Sequence, residues 1–147
     1  MDEHTGIHSR RQAREAALQA LYQTDSLSEW TTEKLELFFL NFYKLKPEDL
    51  NGNPNYKFSI QLASGVVKSH QELDKLIVGA SINWPIERMN RIDRNILRLA
   101  AYELTYVKDT PSSVCISEAL EIGKTFSNEE SLNFINGILD KISKIAS

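Results

Sequence analysis

Three arginines, Arg10, Arg11 and Arg14, crowd into the start of the segment SRRQAREAALQALY, which runs from Ser9 to Tyr22. Such a cluster is suited to anion recognition, because a guanidinium presents a planar fork of donors that matches phosphate and keeps its charge at any physiological pH. The rest of the segment is mostly alanine and leucine. Ala13, Ala17, Ala20 and Leu21 fall on one stripe of a helix. A helix whose body is clamped in a core holds its charged first turns in one place. Cations at that end run against the helix dipole, which favours anions near the N-terminus. Sequestered charge at the unfavourable end points to an external anion; the alternative reading is a solvated basic turn.

Other reactive residue types are sparse. His4, His8 and His70 have no partner at metal-ligand spacing, and Cys115 has no second cysteine to complete a zinc set. The six glycines stand singly, so neither a P-loop nor a dinucleotide fingerprint is present. Glu129 and Glu130 form a carboxylate pair, yet their place at a predicted helix start explains them without acid–base work. These features favour a binding protein over an enzyme, with no catalytic residue, no cofactor and no metal.

The elements that must position the arginines read as helices nearly throughout. The first runs from about Ser9 to Thr24. Ser28 and the Thr31–Thr32 pair offer N-caps for a second, carrying Leu35, Phe38, Phe39 and Phe42 and ending before Pro47. Two prolines, a glycine and three asparagines mark Lys46–Asn55 as a loop. A long helix follows with Phe58, Leu62, Gly65, Val66, Leu73, Leu76 and Ile77 inward, Gly65 implying close approach of a neighbour. Trp84–Pro85 interrupts the chain. The next helix extends to Tyr106, with Arg91, Arg94 and Arg98 on a face read as solvated or paired with Glu87 and Glu103. Pro111–Ser112 opens another, which stops near Phe126. Ser127 and Glu130 then read as a capping box for the last helix, which buries Leu132, Ile135, Ile138, Leu139 and Ile142. The expected fold class is all-α. Residues 1–8 read as an unstructured tail and 9–147 as a single helical domain, with two helix clusters joined around the Pro47–Pro54 loop and the long helix after it.

Composition sets the frame. A chain of 147 residues fits one domain with a real core, and 41% hydrophobic with 25% charged residues is ordinary for a globular protein. A single cysteine fits a reducing, cytoplasmic setting, and no signal peptide or membrane-length apolar run is evident. With a formal net charge of −3 in total and +3 on Ser9–Arg14, the rest of the chain carries −6. A basic patch on an acidic body favours a defined docking site over indiscriminate adhesion to polyanions.

The blocks RRQAREAALQALYQ, RIDRNILRLAAYEL (Arg91–Leu104), ISEALEIGKTF and SLNFINGILDKI, in this order and spacing, resemble the NusB family of transcription antitermination factors. The stretch from Thr24 to Trp84 is much less diagnostic. The resemblance implies a fold of two perpendicular three-helix bundles. It also implies binding to the boxA element of nascent ribosomal RNA leaders together with NusE, a small-subunit ribosomal protein, within an assembly of other Nus factors on RNA polymerase. Neither cofactor nor catalysis belongs to the family.

By the same resemblance the RNA-binding residues are Arg10, Arg11, Arg14, Tyr22, Glu130 and Phe134. Gln12 stands where another basic residue is frequent, and Glu72 near a position that some members fill with an aromatic. Arginines along a backbone and aromatics under splayed bases are what single-stranded RNA requires. Each assignment has an alternative: Tyr22 and Phe134 as core aromatics, Glu130 as a capping carboxylate, and Asn133 and Asn136 as flanks of a helix contact through Gly137. Two other roles keep the fold: the RNA-binding appendage of a ribosomal RNA methyltransferase, for which a chain ending at Ser147 leaves no methyl-donor domain, and a helical protein that forms a homodimer.

Overall fold

The computed structural model describes residues 6–146, the side chains of Leu50 and Asn51 excepted. All the regular structure in that span is helical: α1 (Arg10–Leu27), α2 (Thr32–Phe42), the single turn α3 (Asp49–Gly52), α4 (Pro54–Ala80), α5 (Arg91–Tyr106), α6 (Ser112–Phe126) and α7 (Glu129–Ala146), with a 3-10 turn at Ile86–Arg88. The chain divides into two compact units, Met1–Lys68 and Ser69–Ser147. The division falls inside α4, the long helix that follows the Pro47–Pro54 loop.

In the first unit, α1 starts where the Ser9 hydroxyl accepts the Gln12 N–H at 3.1 Å. It continues past Thr24 to Leu27, where Ser28 turns left-handed at φ 55°. The Ser28 and Glu29 amides then donate back to the carbonyls of Asp25 and Thr24, a Schellman closure with serine in the place glycine usually takes. Ala13, Ala17, Ala20 and Leu21 are fully buried, as the stripe requires. Thr31 caps α2 through the Lys34 N–H. Leu35, Phe38 and Phe39 of α2 are buried, while Phe42 reaches the surface and stacks on Phe38 at 5.1 Å between centroids. The expected loop contains α3 and ends where the Asn53 side chain accepts the Asn55 N–H at 2.8 Å, opening α4.

Of the tail expected over 1–8, residues 1–5 lie outside the described residues. Ile7 is only 1% exposed and its N–H donates to the Tyr56 hydroxyl at 3.3 Å, so the chain is packed before α1 begins. An apolar side chain at that point gains more from the core than from water.

In the second unit α5, α6 and α7 pack against one another. Asn90 caps α5 by accepting the Asp93 N–H at 2.8 Å. Gly123 of α6 leaves room that a Cβ would take from the Leu132 side chain of α7, which is how these helices approach closely. Cys115 is buried, with its Sγ donating to the Ala100 carbonyl at 3.5 Å.

The arginine row on α5 is not one solvated face. Arg98 is 4% exposed. Its Nε and Nη2 donate to the Asp74 carboxylate at 2.7 and 3.0 Å, and its Nη1 to Asn95 Oδ1 at 2.9 Å. Arg94 donates to the Met89 carbonyl, and Glu103 is buried. Because α5 packs on α6 and α7 and pairs with Asp74 of α4, it has little face left for water. The arginine that falls inward finds a planar carboxylate partner from α4.

Candidate nucleic-acid interface

The start of α1 is fixed from two sides. Locally, the Gln12 side chain accepts the His8 N–H at 2.6 Å while its own N–H goes to Ser9. This is a variant of the capping box, in which a side chain three residues in satisfies an amide ahead of the helix. Gln12, expected only as the loss of a basic contact, thus orders the basic turn. From the start of α4, the Ser59 hydroxyl donates to the Ala13 carbonyl at 2.7 Å, and Tyr56 holds Ile7.

Between those anchors lies Phe58, 7% exposed. The Arg10 guanidinium carbon sits 3.9 Å from the centre of its ring and that of Arg14 5.2 Å from it. Both lie within the range in which the negative face of an aromatic ring attracts a cation. Arg10 and Arg11 are exposed, with the Arg10 guanidinium held over the Phe58 ring.

Arg14 departs from expectation. It is 6% exposed, beside Phe58 and within the packed body of α1, so far less of it is open to solvent than of Arg10 and Arg11. One turn beyond Arg10 the helix has entered the core, and the spacing from Arg10 to Arg14 turns both side chains toward α4. Tyr22, further along α1, is 39% exposed and therefore not a core aromatic.

At the start of α7 the cap differs from the sequence expectation. Asn128, not Ser127, caps the helix, with its Oδ1 accepting the Ser131 N–H at 2.8 Å. The Ser127 hydroxyl donates instead to the Asp93 carboxylate at 2.6 Å, a charge-assisted bond stronger than a cap to a neutral amide. Glu130 is thereby released from the capping box and stands exposed in the first turn. Phe134, one turn on, is 36% exposed while Ile135, Ile138, Leu139 and Ile142 are buried, so the aromatic lies at the edge of the buried stripe. Gly137 is exposed, with nothing within 4 Å of where a Cβ would stand, so no helix contact runs through it among the described residues. Glu72 is exposed on α4.

Spacing puts Phe58 on the inward face of the long helix, where it lies, but shows neither its contact with Arg10 and Arg14 nor the cap at Asn128. Asn128 was available as a cap residue by type. The helical period marks Phe58 as buried, but its contact with the arginines arises only where α4 meets α1.

Packed helices that carry exposed arginines and aromatics define an all-helical binding protein. The NusB family model matches residues 11–144, and the chain belongs to that family. The transcription antitermination protein NusB of Myxococcus xanthus is 45% identical over 136 residues, covering 92% of this chain and 94% of its own length. That of Desulfatibacillum aliphaticivorans is 47% identical over 133 residues, covering 90% and 88%. The structure of T. maritima NusB superposes with a TM-score of 0.78 at 32% identity, over 95% of this chain and 93% of that one. A chain from a crystal structure of antitermination factors NusB and NusE in complex with dsRNA superposes with a TM-score of 0.77 at 26% identity, over 92% and 96%.

Proposed function

We propose that this chain is a cytoplasmic transcription antitermination factor that binds the boxA element of nascent ribosomal RNA together with NusE. The complex so formed joins other Nus factors on RNA polymerase and promotes read-through of ribosomal RNA operons. The observation that carries the reading is the ordered basic start of α1, where Arg10 and Arg11 are exposed and Arg10 is fixed on Phe58. Membership of the NusB family and likeness to a NusB solved with NusE and dsRNA support it.

The proposed RNA contacts are Arg10, Arg11 and Tyr22 of the first unit and Glu130 and Phe134 of the second. Arginines meet phosphates, and the exposed rings offer faces on which unpaired bases stack. Arg14 is reassigned from direct contact to support of the arginine turn.

The test is a titration of labelled single-stranded boxA RNA, beside a scrambled RNA of equal length, with and without NusE. The expected result is tight binding of boxA when NusE is present and weaker binding of the scrambled RNA. Equal binding of both RNAs, unchanged by NusE, would overturn the reading.

A further inference from the structure

We propose that Phe58 is a positioning residue for RNA binding, because its buried ring holds the Arg10 guanidinium in the orientation that meets phosphate. The inference rests on the reading of Arg10 and Arg11 as RNA contacts.

An exposed arginine is normally among the most mobile side chains, and ordering it on a ligand costs rotamer freedom. Arg10 is exposed, yet its guanidinium carbon lies 3.9 Å from the centre of a ring that is itself 7% exposed. Contact with the ring restrains the guanidinium at the surface, where its N–H donors can meet a phosphate. The ring in turn is held by its neighbours in α4: Ser59 bonds the Ala13 carbonyl and Tyr56 the Ile7 amide. Arg14 brings a second guanidinium to the same ring, 5.2 Å from its centre, and cannot shed its charge. Two cations drawn to one aromatic ring exceed what filling the core demands, since an aliphatic side chain would fill it without drawing charge. The arrangement concentrates positive potential at the end of α1 and settles its geometry before RNA arrives.

The experiment is a titration of single-stranded boxA RNA, with NusE present, at several salt concentrations. It compares the parent, Phe58→Leu, Phe58→Tyr, Arg10→Ala and the Phe58→Leu/Arg10→Ala double variant. Phe58→Leu keeps an apolar filling and removes the ring; affinity should fall about three- to tenfold, the range of a partly desolvated cation–aromatic contact. The logarithmic salt slope should also fall, by up to about 0.7, the share of one phosphate on single-stranded RNA. Phe58→Tyr retains a ring face and should restore both. In the absence of Arg10, Phe58→Leu should have little further effect.

Parental affinity and slope in Phe58→Leu would overturn the proposal, as would a Phe58→Tyr variant no better than Phe58→Leu, or independent, multiplying effects of the two substitutions. Should Phe58→Leu fail to fold, Phe58→Met takes its place in the same cycle. An Arg10→Ala/Arg11→Ala variant separates the two readings. If it binds like the parent, the arginine site and the role of Phe58 fall together; if it binds weakly while Phe58→Leu does not, only the role of Phe58 falls.

Discussion

At Phe134 exposure separates two roles that residue type alone left open. A ring that is 36% exposed, at the edge of the stripe that buries Ile135 and Ile138, is less committed to the core than they are and can offer a face to a base. Phe134→Ala should therefore cost about 1–3 kcal/mol of RNA binding. A urea melt should show far less than the roughly 3–5 kcal/mol expected for truncating a core phenylalanine. A large drop in the melt with unchanged RNA affinity would place the residue in folding instead. Glu130 tests charge sign. Once Ser127 is engaged by Asp93, Glu130 has no capping box to complete, and what it gives α7 is a favourable charge near the helix start, typically about 0.3–1 kcal/mol. Glu130→Gln removes a negative charge next to a polyanion, so boxA RNA should bind more tightly, most visibly at low salt. Weaker binding would mean that the carboxylate accepts hydrogen bonds from bases.

At the scale of elements, much was legible because helices announce themselves locally. The alanine stripe of α1, the Pro111–Ser112 start of α6 and the buried isoleucines of α7 follow from spacing and stand where spacing puts them. What was not legible depended on partners distant in the chain. Ser127 is a good N-cap by type but is drawn to Asp93, 34 residues away, and Asn128 caps in its stead. Arg98 shares a helical face pattern with Arg91 and Arg94 but meets Asp74 of α4. Arg14 looks like Arg10 until Phe58 is placed beside both. Removing one partner of a buried pair strands the other charge, so Arg98→Ala should lower stability by about 3–5 kcal/mol, read as a fall in the urea midpoint. A change below about 1 kcal/mol would show that the pair is screened by water like a surface ion pair. The junction of α1 and α2 adds a pH dependence. The Tyr43 phenol donates to Gln19 Oε1 at 3.3 Å, and burial, with Tyr56 and Glu15 nearby, pushes its pKa from about 10 up to about 12. The folded state thus holds this proton more tightly than the unfolded chain. The stabilisation is complete below the unfolded pKa near 10 and is lost as pH rises toward 12. Tyr43→Phe should flatten the alkaline fall in stability, measured by urea melts across that range. An unchanged alkaline profile would assign the fall to other groups.

Over the whole molecule the charge balance decides how binding can work. The net charge is −3, yet three arginines lie within Ser9–Arg14, so the proposed attraction to RNA centres on one small region of a chain whose remainder carries −6. Such a molecule gains little from nonspecific adhesion to polyanions, and its affinity depends on a few fixed contacts. Two of the three arginines are exposed, and the third, Arg14, is packed where alanine would damage the helix it supports. A triple alanine variant would therefore mix folding with binding, whereas Arg10→Ala/Arg11→Ala leaves the buried stripe intact. The most direct test is the salt dependence of boxA RNA binding, with NusE present, for the parent and this double variant, each checked by a urea melt. The account predicts weaker binding, a logarithmic salt slope reduced by about 1.4 for two phosphate contacts, and a midpoint close to that of the parent. Parental affinity and slope in a folded double variant would contradict it.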